Sequence, residues 1–133
     1  MEVELALIVC EEGTCRDRVA LAAGRCGLSP ICCRTLQEAR SLLVQEEFRM
    51  VLCEDLLPDG DFYMALREVK ITTRNAPLIV LSQNGDWGAY LKALTAGVFD
   101  WILCPASLSD SEQVVRCALL DSAQRTAADR MAA

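Results

Sequence analysis

Five short apolar runs recur along the chain, each followed by a stretch with helical spacing. This alternation constrains the fold more than any other feature. The runs are VELALIVC from Val3, LSPICCR from Leu28, RMVLCE from Arg49, APLIVLS from Ala76 and VFDWILCP from Val98. Each is strand-length and rich in β-formers. The third is almost continuously apolar, as expected of a central parallel strand covered on both faces. The second carries Pro30 near its start, where a missing donor is tolerated on an edge strand.

The intervening stretches read as helices. In CRDRVALAAGRCG, the residues Val19, Leu21, Ala22 and Cys26 form an apolar stripe that Gly27 closes. TLQEARSLLVQEE opens on Thr35 with Glu38 three positions on, a capping box, and Leu36, Ala39, Leu42 and Leu43 follow at helical spacing. GDFYMALREVKITT is a third helix. GDWGAYLKALTAG is a fourth, weakened by Gly88 and ended by Gly97. The last runs through LSDSEQVVRCALLDSAQRTAADRMAA, with Ser109 or Ser111 as its N-cap. Strands separated by helices imply a parallel sheet with right-handed crossovers. The fold class is α/β, flavodoxin-like, with a five-stranded parallel sheet in the order 2-1-3-4-5 and five helices. In such sheets function gathers at the carboxyl ends of the strands, near the switch point between the first and third.

At 133 residues the length fits one domain, large enough to bury a core without staples. No apolar stretch reaches the roughly 18–20 residues of a membrane span. The start, MEVELALIVC, lacks a basic leader region, so a soluble, cytoplasmic protein is expected, without membrane partners. The formal net charge is −6 and the arginines are scattered, which argues against a nucleic-acid surface. A folded partner or a cation suits the acidity better. Eight cysteines occur without a CxxC, and histidine is absent. Familiar zinc spacings are therefore missing, and a Ser/Cys–His catalytic unit is excluded. Flanks such as LIVC and VLC mark most thiols as buried small hydrophobes.

The strand ends carry Cys10-Glu11-Glu12, Cys53-Glu54-Asp55, Ser82-Gln83 and Cys104-Pro105. Neighbouring first and third strands bring Glu11 toward Glu54, and converging acids point to a divalent cation or phosphoryl transfer. With these residues in view, the chain resembles a response-regulator receiver domain of the CheY-like family, over roughly residues 4–122. ALIVCEE, MVLCEDLLPDG, APLIVLSQNGD and AGVFDWILCPAS carry the resemblance. It implies a three-layer sandwich and no enzyme activity. Residues 123–133 then extend the last helix as a linker toward an output domain.

The resemblance also assigns positions. Glu54 stands four residues before Pro58, where the family's phosphoacceptor aspartate would be. Cys10 and Glu11 occupy the acidic-pair positions, Ser82 the hydroxyl position, Cys104 the lysine position, and Trp101 the switch aromatic. Three of the five depart from the pattern. Glutamate adds a methylene where in-line attack needs placement to well under ~1 Å. Cys10 removes a magnesium ligand, and Cys104 removes a positive charge. A degenerate, pseudo-receiver domain of bacterial two-component signalling is therefore expected. It would act by protein contacts without normal aspartyl phosphorylation and would hold no cofactor and no metal. One alternative is a working phosphoacceptor that uses Glu54 or Asp55 with Mg2+, weakly held at Glu11 and Glu54. Another is a flavodoxin-like ligand-binding domain or a redox-sensing thiol domain, although the chain lacks a Gly-rich phosphate loop.

Finer expectations follow. Glu54 either mimics the phosphorylated state, with Ser82 as its hydrogen-bond partner, or is a solvated strand-end acid. Strand alternation points Asp55 away from Glu54, unless the loop has already begun there. Cys10 and Cys104 lie about three strand spacings apart, on the order of 14 Å, beyond the roughly 7 Å a disulfide allows. Cys15 and Cys26 are too far apart on one helix, and Cys10 with Cys32 or Cys33 has poor geometry. Cys104, at a loop mouth, is the thiol expected to react first. Trp87, Tyr90 and Trp101 mark an interface on the fourth helix, fifth strand and fifth helix. It would serve a protein partner, a fused output or kinase domain, or a homodimer.

Overall fold

A computed structural model describes residues 3–73 and 75–132. Seven strands and five helices follow in chain order. They are β1 (Leu5–Val9), α1 (Gly13–Arg25), β2 (Ser29–Cys33), α2 (Leu36–Gln45), β3 (Phe48–Glu54), β4 (Leu56–Leu57), β5 (Gly60–Asp61), α3 (Phe62–Thr72), β6 (Leu78–Ser82), α4 (Trp87–Ala96), β7 (Asp100–Leu103) and α5 (Leu108–Ala132). The main sheet is parallel, in the order β2-β1-β3-β6-β7. Counting sheet strands alone, this is the expected 2-1-3-4-5. The difference from expectation is the antiparallel β4–β5 hairpin after β3, which is too short to leave a periodic signal.

Alternation along the strands sends side chains to two apolar layers. Leu7, Val9, Val51, Cys53 and Val80 face α2, α3 and α4, together with Leu36, Phe62 and Ala93. Ala6, Ile8, Leu52, Ile79 and Leu81 face α1 and α5, together with Val19 and Val115. The three layers follow from strands that are apolar on both sides.

Local signals set the element ends. Thr35 caps α2, accepting from the Glu38 N–H at 3.1 Å as in a capping box, while the Glu38 carboxylate turns back to accept from the Thr35 hydroxyl at 3.0 Å rather than from its N–H. Asp59 adds a second cap from the β4–β5 turn. Its carboxylate accepts from the N–H groups of Leu36 (2.7 Å) and Gln37 (3.0 Å). Gly97 ends α4 at φ +114°, a conformation that a side chain makes costly.

Two helical details differ from the sequence reading. Leu21 is exposed, and the buried stripe of α1 is Cys15, Val19, Ala22 and Ala23. The cap of α5 is Ser107, whose Oγ accepts from the Asp110 N–H at 3.0 Å. Ser111 instead lies buried within the helix, so neither it nor Ser109 begins it. Residues 123–132 of α5 are exposed. Among the described residues, no helix is long and apolar enough to cross a membrane.

Leu52 is fully buried in the central strand, whereas Leu120 is 64% exposed on α5. Leu52→Ala is expected to cost about 2–5 kcal/mol in urea unfolding. Leu120→Ala should stay within about 0.5 kcal/mol of the parent.

Candidate functional site

The carboxyl ends of β1, β3, β6 and β7 meet at one pole of the sheet. Ser82 ends β6 and is 2% exposed. Cys104 follows β7, is 8% exposed, and precedes a cis bond to Pro105. The Cys104 N–H donates to the Ser82 carbonyl at 2.6 Å, which ties these two ends together.

Glu54 and Asp55 divide the pole between them. Glu54 Oε1 accepts from the backbone N–H of Glu11 at 2.9 Å, bridging β3 to the loop after β1. The expected approach of Glu11 and Glu54 is therefore present, through Glu11's backbone rather than its carboxylate. The Ser82 hydroxyl donates to Asp55 Oδ2 at 2.7 Å, not to Glu54. Asp55 Oδ1 accepts from the Leu56 N–H at 2.9 Å. This corrects one expectation and meets the exception to another. Ser82 pairs with Asp55, and Asp55 does not point away from the pole. The cause is that β3 stops at Glu54, so strand alternation no longer governs Asp55.

Glu12 is occupied as well. It caps α1, accepting from the N–H groups of Thr14 (3.1 Å) and Cys15 (2.7 Å). These two donors, Cys15 first, hold its carboxyl below the usual range. The Leu36 N–H does the same most strongly for Asp59.

Cys10 is completely buried between the layers. Burial first, then the charge of Glu54, pushes its thiol up to about 12. The acidic-pair position thus holds a neutral group at neutral pH. Cys33 is likewise pushed up to about 12, chiefly by burial, and burial raises Cys53 further. The reading of these three as small hydrophobes fits their surroundings. Cys32 and Cys117 are exposed and do not fit it.

Cys104 pairs with Cys15, with Cα atoms 6.5 Å apart. Sequence reasoning excluded Cys104 from pairing with Cys10 and did not weigh Cys15 as its partner; Cys104 itself is buried but lines the clefts at the loop. Cys10 is indeed unpaired. Strand spacing, however, says nothing of α1, which crosses the sheet and sets its first turn beside the end of β7. Cys15 is the residue beside the pole that sequence reasoning missed, and no local motif could have marked it.

The aromatics form a chain from core to surface. Trp101 is half-buried and meets Phe62 and Tyr90 edge-on, with centroids 5.9 and 6.4 Å away. Tyr90 in turn meets Trp87 at 5.3 Å. Trp87 is 68% exposed, and Leu91 (45%) and Leu103 (52%) lie open on the same elements.

No protein-family model matches the chain. Among curated proteins it is 30% identical over 119 residues to the response regulator protein PilR of Pseudomonas aeruginosa, covering 90% of this chain and 27% of that protein. The chain spans between 24% and 41% of the length of the curated relatives it matches. Among solved structures it superposes on NtrX from Brucella abortus with a TM-score of 0.88 at 21% identity, covering 98% of this chain and 30% of that one. A response regulator from Thermotoga maritima gives 0.79 at 21% identity, covering 89% and 98%.

The raised thiols carry a pH signature. Their folded pKa values exceed the ordinary 9.0, so the stability they contribute is present below pH 9 and is lost as pH rises toward about 12. Urea midpoints should therefore fall between pH 8 and pH 10.5. Cys10→Ala should show a smaller fall than the parent.

Proposed function

From a chain of the response-regulator receiver (CheY-like) type, we propose a degenerate receiver that signals through contacts of its folded surface without accepting phosphate by the usual aspartyl route. The observation that carries this reading is the commitment of Glu54, Asp55 and Glu12, three of the four carboxylates at the pole, to internal partners; the exposed Glu11 carboxylate is the fourth. Glu54 is held by the Glu11 N–H, Asp55 by Ser82 and Leu56, and Glu12 by α1. Among the described residues, no salt bridge reaches Glu54 or Asp55.

Such a pole is a poor fit to magnesium and phosphate. A magnesium site asks for oxygen ligands at near-octahedral geometry. Here one acidic-pair position is a buried neutral thiol, and no group of three His, Cys, Asp or Glu residues converges as a metal cluster among the described residues. A transferred phosphoryl group also asks for a cation. Cys104 stands in the lysine position and is tied to Cys15.

Without phosphate as the input, the useful surface is the apolar one. Trp87, Leu91 and Leu103 offer a patch on α4 and β7, backed by Tyr90 and Trp101. Exposed aromatics over a rigid backing suit an anchor for a protein partner. That partner is an output or kinase domain, in the same protein or another, or a second copy of the chain. Residues 123–132 of α5, exposed throughout, form the linker toward it.

Incubation with acetyl phosphate and magnesium should leave the mass of the chain unchanged. A stoichiometric, hydroxylamine-labile gain of about 80 Da, one phosphoryl group, would defeat the proposal. The combined variant Cys10→Asp, Glu54→Asp and Cys104→Lys should gain that adduct where the parent does not. On the docking face, Trp87→Ala should leave stability within about 0.5 kcal/mol. Trp101→Ala, which removes a ring packed on the core, should cost about 2–4 kcal/mol.

A further inference from the structure

We propose that Cys15 and Cys104 form a thiol–disulfide exchange site, a reversible covalent latch between α1 and the β7–α5 loop that reacts with small disulfides of the glutathione type. The pair joins residues 89 apart in sequence, with Cα atoms 6.5 Å apart, inside the span a disulfide bridges. Both side chains belong to the rim of the apolar layer under α1 and α5, at 9% and 8% exposure. Both stand in the wall between two clefts. One cleft, of about 210 Å³, is lined also by Arg18, Ala106 and Ser111. The other is lined by Glu54, Asp55 and Ser82. A small reagent therefore has an approach to the sulfurs from either side.

The position also favours reversibility. The layer under α1 and α5 has thirteen other buried members besides these two cysteines, and a domain of this length does not need a covalent staple to fold. Opening the latch leaves a second tether in place, because Arg18 Nη1 still donates to the Ala106 carbonyl at 2.7 Å. Cys32 and Cys117 are exposed and open to mixed disulfides, but neither has a partner thiol to close an internal bond among the described residues. Among the described residues none of the remaining six is paired. Burial holds Cys10, Cys33 and Cys53 protonated at neutral pH, and the thiolate is the nucleophile.

The chemistry balances in two displacements. One protein thiol loses its proton, and the thiolate attacks the small disulfide, forming a mixed disulfide and expelling one small thiolate. The second protein thiolate attacks the protein-side sulfur of that mixed bond and expels the other. Two protein thiols are oxidised, and one small disulfide is reduced to two thiols, which take up the two protons. The reverse sequence opens the latch.

Closure has a consequence for the pole. Cys104 is bonded through its N–H to Ser82, and Ser82 to Asp55. The latch therefore fixes the loop against which the acidic cleft is built. It does not depend on the docking role proposed above: a phosphate adduct would sink that role and leave the latch standing.

The test uses the full chain equilibrated in glutathione buffers from fully reduced to fully oxidised, quenched in acid, blocked with N-ethylmaleimide and digested with trypsin. The latch links residues 1–16 to residues 93–116. Cys10 shares the first peptide, so the linked species should persist in Cys10→Ser and vanish in Cys15→Ser. Its yield should drop to about a tenth in reducing buffer and return on reoxidation. Amide exchange at residues 104–107 should quicken about fivefold or more on reduction. No linked peptide under oxidising conditions would overturn the proposal. So would a link that reduced glutathione never opens, or loop exchange that is equal in both states. The reduction arm uses the unmodified chain, so it stands even if a variant fails to fold.

Discussion

A parallel sheet that is apolar on both faces has no room for a polar group along its strands. Everything hydrophilic is pushed to the strand ends. In this chain β1, β3 and β6 are buried almost throughout, between α1 and α5 on one side and α2, α3 and α4 on the other. The pole where Glu54, Asp55 and Ser82 meet is the outcome of that exclusion. The burial that makes the sheet stable by itself brings residues from distant parts of the sequence into one small volume.

What distinguishes this pole is how its charge is met. Carboxylates crowded together can be balanced by cations or by oriented N–H and O–H dipoles. Here dipoles do the balancing, from Glu11, Leu56, Thr14, Cys15 and Ser82. Dipoles fixed in the backbone cannot leave or follow an incoming group as a lysine ammonium can. The arrangement is satisfied as it stands, by groups that belong to the fold itself. Cys104 fits the same logic, because it is held by groups of the fold, its sulfur beside Cys15 and its N–H on the Ser82 carbonyl.

The parts of the structure that follow from near neighbours in sequence were legible in it. Thr35 and Glu38 announced the start of α2, Gly97 the end of α4, and Pro30 the edge position of β2. The strand count, the layer order and the convergence of the strand ends came from apolar periodicity. The parts that were not legible depend on groups brought together only by the finished fold. The switch of Ser82 from Glu54 to Asp55 turns on where β3 stops, a matter of one residue. Cys15 meets Cys104 because of the course of α1 across the sheet, which strand spacing does not describe. The Ser107 cap lost out to Ser109 and Ser111 on paper, since three serines within five positions offer equal local chemistry. Burial of Ser111 decides against it only in three dimensions.

Asp59 has a wider implication. Its carboxylate sits in the turn between β4 and β5, yet the helix it caps lies earlier in the chain. One side chain thereby makes a surface loop and the start of α2 share a single boundary condition. Anyone grafting a longer or foreign loop between Pro58 and Phe62 would be redesigning a remote helix end at the same time. That turn is the segment of this domain least suited to modular exchange.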